Sequence, residues 1–450
     1  MKGSLVTQLS LMLILVSIAS ACGTGTAKQT EEEASAALPG PVLRPTASGS
    51  GPVTMLSPFV NQELEERLDD LSAKFQEVNP EIQVEIEIVS DEQLADRIGA
   101  GQELPDVILL PAEYVADMAA SDMIDIGLVT AVLDEMDTNK FFPGALEQVK
   151  AGGDKVLAIP YYATVQGLWY RKSMLEAAGL EPPASMEEIL SVAETLSDPD
   201  AGVYGIALPG IGDPALLHHA VEHLALAAGV KVFGNDGTPQ FADEAFVQVL
   251  QLYAELRKLG PPDPITMAEA RDMFLNGQCG MILDSTMLPQ TLAGSEGDSG
   301  RGGVRELGRD LGFISAPGGA SHGYTLALAV RKDAGREAVR SWINHMMFDG
   351  YLTQAIPSGY APTVSSKAAE WMCWKTLSWF GFYETSMPED LLVGLEEGPR
   401  WDTDNEAAAV LASRLYAGGL IPQAMGRVLN GEMTAEEAAV WLQSEAQSLQ

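Results

Sequence analysis

The residues of this chain that could do chemistry fall into three sets. Gly319-Ala320-Ser321-His322-Gly323 has the G-x-S-x-G form of a nucleophile elbow. That form exposes its serine only where a strand enters the turn and a helix leaves it. Here Ala316-Pro317-Gly318 leads in and a strand-like run, 324–330, leads out, so the setting is wrong for a nucleophile. Gly297-Asp298-Ser299-Gly300 sits in the glycine-rich polar run 294–303, a surface loop with no partnering His or Asp to argue for. The second set is a pair of acids, Glu113 and Asp213. They could accept hydrogen bonds from hydroxyl groups or, set about 5–10 Å apart across a sugar, cleave a glycosidic bond. The third set is aromatic: Tyr161, Tyr162, Trp169, Tyr324, Tyr360, Trp371, Trp374 and Trp379, mostly at strand ends or in loops. Ring faces stack on the C–H faces of sugars, at about 0.5–1.5 kcal/mol per contact. Trp371, Trp374 and Trp379, with Phe380, Phe382 and Tyr383, read instead as anchors of an irregular C-terminal segment.

No phosphate-cradling GxxxxGK[ST] and no HExxH occurs. His218 and His219 are adjacent, about 100° apart on a helix. Cys279 and Cys373 have no metal-ligand spacing; a disulfide between them cannot be deduced from sequence, and they read as two buried thiols. No cofactor, no metal and no enzyme activity are expected.

The elements that must position these residues alternate. Residues 53–59 read as a strand, and 61–78 as a helix with Leu64, Leu68, Leu71 and Phe75 on one stripe, ended by Asn79-Pro80. Residues 83–89 alternate Val84, Ile86 and Ile88 against Gln83, Glu85 and Glu87, a strand with one wet face; 107–110 is apolar throughout, a strand covered on both faces. This βαβαβ rhythm implies a parallel sheet between helices. Downstream, helices are expected at 185–196, opened by a Ser185–Glu188 capping box, and at 216–228, 243–259, 336–348 and after Thr434. Strands are expected at 203–208, 280–283, 313–315 and 325–330. Between the two series, 157–175 reads LAIPYYATVQGLWYRKSML, where strict alternation sends Tyr161 and Tyr162 to opposite faces.

The 450 residues carry 27 Lys+Arg against 63 Asp+Glu, a formal charge of −36. That balance excludes nucleic acid as a partner and repels anionic lipid headgroups. Lys2 followed by an apolar run and small residues reads as a secretory leader, 1–21, too short for a membrane span. Ile18-Ala19-Ser20-Ala21-Cys22 resembles the bacterial lipobox, with Cys22 as the lipidated residue. Residues 22–52 hold almost no large apolar side chain and read as a flexible tether, a coil of about 30 Å with a stretched reach near 100 Å.

The order of segments resembles the extracellular solute-binding proteins of ABC importers, in the carbohydrate-binding group that includes maltose-binding protein. The resemblance is carried by Phe75 with Asn79-Pro80 and Val84; Pro105-Asp106-Val107; Ala158-Ile159-Pro160-Tyr161-Tyr162 through Trp169-Tyr170-Arg171-Lys172; Ala178-Gly179-Leu180 with Pro182-Pro183; Phe274, Gly277, Gly280-Met281 and Asp284; Gly359-Tyr360-Ala361-Pro362; and Asn430-Gly431 before the last helix. Two departures bear on the ligand. Asp284-Ser285-Thr286-Met287 stands where the family often has a Trp, and Arg171 replaces an asparagine.

The resemblance implies a two-lobed α/β periplasmic-binding-protein fold, with hinge crossings between two mixed or parallel sheets. Its lobes would be 53–160 plus 285–342 and 161–284 plus 343–450, with the Pro-Tyr-Tyr segment as a hinge strand. Carried over residue by residue, the cleft is expected to hold Phe59, Asn61, Glu113, Tyr114, Tyr161, Thr164, Asp213, Ser285, Thr286, Tyr324 and Tyr360. The implied protein is a lipid-anchored, extracytoplasmic bacterial monomer that captures a sugar or oligosaccharide and delivers it to ABC permease subunits. A phosphorylated sugar would call for an arginine in the cleft, with Arg171 and Arg400 as the candidates. The rival readings are an extracytoplasmic carbohydrate-active enzyme and a binding protein that reports to a sensor.

Overall fold

The computed structural model describes residues 51–58, 62–100, 103–262, 265–289, 306–315, 323–348, 351, 360–365, 367, 393–398, 400–401 and 405–450. Outside the described residues lie the leader, Cys22, the tether before Gly51, Phe59, Asn61, the 297–300 and 319–322 motifs, Cys373 and the 371–383 aromatic run.

Strand β1 (Gly51–Pro58), helix α1 (Gln62–Val78), β2 (Ile82–Val89), α2 (Asp91–Gly99) and β3 (Val107–Pro111) realise the expected βαβαβ series. The β1 strand runs parallel to both β2 and β3. β2 lies at the sheet's edge with Gln83, Glu85 and Glu87 turned to water, a charge pattern that discourages edge pairing. Every residue of β3 is buried. Short helices α3 (Val115–Ala120), α4 (Ile126–Met136) and α5 (Pro143–Glu147) then lead to β4 (Ile159–Arg171).

The second series is α6 (Lys172–Ala178), α7 (Met186–Leu196), β5 (Tyr204–Ala207), α8 (Pro214–Ala227), α9 (Glu244–Lys258), α10 (Met267–Leu275) and β6 (Cys279–Ser285). The Ser185 hydroxyl accepts from Glu188 N as expected, but the Glu188 carboxylate reaches one residue further back, to Ala184 N. After β7 (Leu311–Ile314) and β8 (Gly323–Val330) come α11 (Arg336–Phe348), β9 (Ala361–Pro362), α12 (Glu406–Ala417), α13 (Leu420–Leu429) and α14 (Ala435–Ser448). The capping box at Thr434 and Glu437 is complete.

The two halves share β4. Its residues 159–165 pair antiparallel with β8, which is itself antiparallel to β3, so they belong to the first sheet. Residues 166–170 pair with β6, which runs parallel to β5, so they belong to the second. Two buried clusters form: one gathers around β1, β3 and α11 and runs on across β4 into α10, β6 and β7, the other lies among α7, α8, α9, α13 and α14. The result is a two-lobed α/β architecture. Two boundaries differ from the sequence expectation. β7, grouped with the first lobe, pairs with Leu168–Arg171 in the second sheet. Ile343, Met346, Met347, Tyr351 and Tyr360, grouped with the second lobe, pack in the first core.

The adjacent tyrosines overturn the alternation rule. The β4–β8 register shifts between Pro160 and Tyr162, which makes Tyr161 the extra residue of a β-bulge. The bulge turns both rings to one side, with centroids 4.0 Å apart, and both are fully buried. Tyr351 lies 5.5 Å from both rings and stacks on Tyr162, and Tyr360 stacks on Tyr162 as well. A bulged residue loses its ladder partners, and its buried carbonyl must find others. The Tyr351 hydroxyl donates to Tyr161 O at 2.5 Å and accepts from Thr363 N at 2.6 Å; Thr363 Oγ1 donates to Pro160 O at 2.7 Å. We expect Tyr351→Phe to lower folding stability by about 1–3 kcal/mol in urea unfolding, the range for stranding buried polar groups. An unchanged midpoint would show that the bulge stands without this hydroxyl.

Candidate functional site

A cavity of about 720 Å³ lies where the two halves meet. The carboxyl ends of β1 and β3 reach it through Pro58 and Pro111, the place where open α/β sheets receive ligands. The first turn of α2 contributes Asp91, Glu92 and Leu94. From β8 come Tyr324 and Leu326, and Tyr114 and Tyr360 add rings. The crossing strand supplies Thr164 and Gln166, one residue from each of its two sheets. The far wall is the start of α8 (Asp213–Leu216, then His218 and His219), Arg271 of α10, Ser285 and Met287. Tyr416 and the α12–α13 junction close the side.

Six of the expected residues line this cavity: Tyr114, Thr164, Asp213, Ser285, Tyr324 and Tyr360. Three described ones do not. Tyr161 is sealed inside the bulge cluster, because the register shift turns it away from the cleft. Thr286 stands at the strand crossing, where its Oγ1 accepts from Val165 N and its own N–H donates to Val165 O. Glu113 lies beneath the lining, buried, with Oε1 3.8 Å from His219 Nδ1. Burial pushes the Glu113 carboxyl up, while the nearby Arg400 charge pulls the other way. Phe59 and Asn61 are outside the described residues.

The pairing of Glu113 and Asp213 as opposed glycosidase acids therefore fails in the described structure. Asp213 sits at the N-cap of α8, but its Oδ2 accepts from Met267 N at 2.5 Å, joining the starts of α8 and α10.

The arginine in the cleft is neither of the two expected. Arg171 bonds Asp310 Oδ2 at 2.5 Å and donates to Phe274 O and Leu275 O, closing the end of α10. Arg400 donates to Gln148 O. Instead, Arg271 lines the cavity and grips Asp284 bidentately, at 2.6 and 2.8 Å. Burial works against the Arg271 charge, and the Asp284 carboxylate more than compensates, so its pKa is raised. Asp284 in turn accepts from Ser285 N. The pair presents a guanidinium whose charge is already matched. That suits hydroxyl groups better than a phosphate.

Aromatic edges complete the walls. Tyr114 meets Tyr416 edge-on at 5.2 Å, and His219 meets Tyr324 at 4.7 Å. Sequence reasoning missed Gln166, Arg271, Tyr416 and the two histidines as cavity residues. The one legible signal was Asp213-Pro214, a helix start directly before His218 and His219. Among the described residues no cluster of His, Cys, Asp and Glu could hold a metal ion. Breaking the Arg271–Asp284 pair leaves a buried charge. We expect Arg271→Met to cost about 3–5 kcal/mol in urea unfolding at neutral pH.

Comparison with known proteins agrees with this geometry. The family described as bacterial extracellular solute-binding protein matches residues 61–351, more than half of the chain. A putative ABC transporter periplasmic-binding protein of Escherichia coli, YcjN, is 28% identical over 297 residues, which span 64% of this chain and 66% of that protein. A mannitol-binding protein of Pseudomonas aeruginosa is 26% identical over 338 residues, covering 69% of this chain and 72% of its own. An ABC transporter solute-binding protein of Agrobacterium radiobacter K84, solved with ribitol, superposes with a TM-score of 0.69 at 18% identity. That superposition covers 89% of this chain and 99% of the other.

Proposed function

Because the chain belongs to the bacterial extracellular solute-binding proteins, we propose that it is the binding component of an ABC importer, capturing a sugar or polyol between its lobes. The observation that carries this reading is the cavity itself. It is built from both halves, walled by tyrosines and matched or hydrogen-bonded polar groups, and crossed by β4. A ligand that touches both lobes favours the closed arrangement over the open one. Micromolar capture requires about 8 kcal/mol, within reach of a few ring contacts and several hydrogen bonds. The mannitol and ribitol of the relatives support a polyhydroxylated guest.

The reading includes no reaction, since Glu113 lies beneath the lining and Asp213 is tied to the start of α10. It places the lobe boundary in β4 at Val165 and Gln166. It also retains the anchor at Cys22, the tether, a monomeric state and delivery to permease subunits outside the cytoplasm. No described helix is long and apolar enough to cross a membrane.

Thermal-shift measurement against D-mannitol, ribitol, maltose and maltotriose tests capture. A ligand present at about 100 times its Kd adds about 2.7 kcal/mol of stability, and small-angle scattering should show the protein contracting. Tyr360→Ala and Gln166→Ala are expected to weaken the responding ligand about tenfold or more, a loss of about 1.4 kcal/mol. Tyr161→Phe should leave affinity unchanged. If neither stability nor shape responds to any of these compounds, the reading is wrong.

A further inference from the structure

A second cavity, of about 430 Å³, lies beside the one between the lobes. The two share Pro214, Gly419 and Pro422, so one opens into the other across the starts of α8 and α13. Gly419 is the N-cap of α13, with a left-handed φ of 59° that suits glycine, and it leaves no side chain standing over the passage. Beyond it the second cavity runs down one face of α13. Pro422, Gln423, Gly426, Arg427 and Asn430 line it, at the three- and four-residue spacing of helical neighbours. From Pro422 to Asn430 that face is about 12 Å long.

The groove combines an apolar wall with polar edges. Ile211, before α8, is 41% exposed and stands against α13 at Gly426. Glycine is a poor residue for a helix interior. Here it holds space open: outside its own helix, a Cβ added at Gly426 would come near Ile211 Cγ2 alone among the described residues, at 3.4 Å. Gln423 Nε2 donates to Gly418 O and Asn430 Nδ2 to Glu432 Oε1, which leaves each amide an oxygen that can accept. The Arg427 guanidinium lies over the Trp441 ring, 3.9 Å from its centroid. Stacking occupies its face and leaves N–H groups at its edge to donate. Sugar rings present C–H faces bordered by hydroxyls, and this surface can meet both.

We propose that the guest is a linear oligosaccharide, one end held between the lobes and the rest passing over Pro214, Gly419 and Pro422 to lie along α13. This deepens the solute-capture reading and rests on it. A polyol or single sugar held between the lobes would leave the groove unused. The groove is built from the second half alone, since α8 and α13 both pack in the second cluster. Units lying there touch one lobe, so they bind the open and closed arrangements equally and add affinity without driving closure. Chain length should therefore change how tightly a sugar is held but not how far the lobes close.

Isothermal titration of the full chain tests this with D-mannitol and ribitol, a gluco series (glucose, maltose, maltotriose, maltotetraose) and a manno series (mannose, mannobiose, mannotriose, mannotetraose). In the series that binds, the longest member should bind about tenfold or more tighter than the shortest binder, while small-angle scattering shows the same contraction with both. Gly426→Leu fills the groove and should bring the longest member down to the affinity of the shortest, whose own affinity stays unchanged. The double variant Gln423→Ala, Asn430→Ala alters only exposed side chains and should cut the gain about fivefold, as the loss of one or two hydrogen bonds requires. Thermal unfolding reports whether Gly426→Leu is folded; if it is not, the double variant decides. Equal affinity at every length overturns the inference, as does a length gain that the double variant leaves intact. Binding of mannitol or ribitol with no response to any oligosaccharide also overturns it while leaving solute capture standing. Absence of any binder among all these compounds instead counts against sugar or polyol capture itself, and this inference falls with it.

Discussion

One strand serves two sheets, and everything else in the molecule is arranged around that fact. β4 is hydrogen-bonded to β8 up to Val165 and to β6 from Gln166 onward. A continuous strand can change partners at a single peptide only if the groups at the exchange are satisfied. Thr286 supplies that, bonding Val165 through both its hydroxyl and its backbone N–H. The neighbouring Gly167 is required by space: a Cβ there would fall 2.4 Å from the Phe313 ring. On the first-sheet side the bulge at Tyr161 and its tyrosine cluster fix the strand's approach. Hinge motion between two lobes requires a few such crossings to absorb the change in backbone angles, and the exchange at this seam is one of them.

The seam also explains how the cavity is composed. Thr164 and Gln166 project into it from either side of the exchange, so a guest touching both would bridge the two sheets through one strand. Tyr360 lines the cavity and stacks on Tyr162, which links the binding surface directly to the bulge. The α12 helix spans the halves separately. Arg414 pairs with Asp117 of α3, and Leu411 and Leu415 pack in the second core.

Much of this fold was legible in the residues. The alternation of Ile82–Val89 and the unbroken apolar run of β3 gave their strands because burial on one face or two leaves a period that can be read. The bulge was not legible, because an inserted residue changes which way a side chain points without changing the local pattern. That is why Tyr161 was expected in the cleft and Tyr162 on its far side. Six cavity residues followed from the family resemblance. Arg271 and Asp284 did not, because a contact across thirteen positions between a helix and a strand has no periodic trace. His218 and His219 reach the same cavity because it wraps around the start of α8, a matter of tertiary shape that helical spacing alone does not convey.

The starts of α2 and α8 both open onto the cavity, and the acids there, Asp91, Glu92 and Asp213, sit against backbone N–H groups carrying partial positive charge. Arg271 is matched by Asp284. With Asp284 these acids outnumber Arg271, so the pocket keeps the negative sign of a chain of net charge −36. Mobile ions screen that field over about 8–10 Å at physiological strength, and an uncharged guest offers it no net charge to pull on. The grip on an uncharged guest should accordingly be nearly indifferent to brackish or dilute surroundings, even as the acidic exterior responds to them.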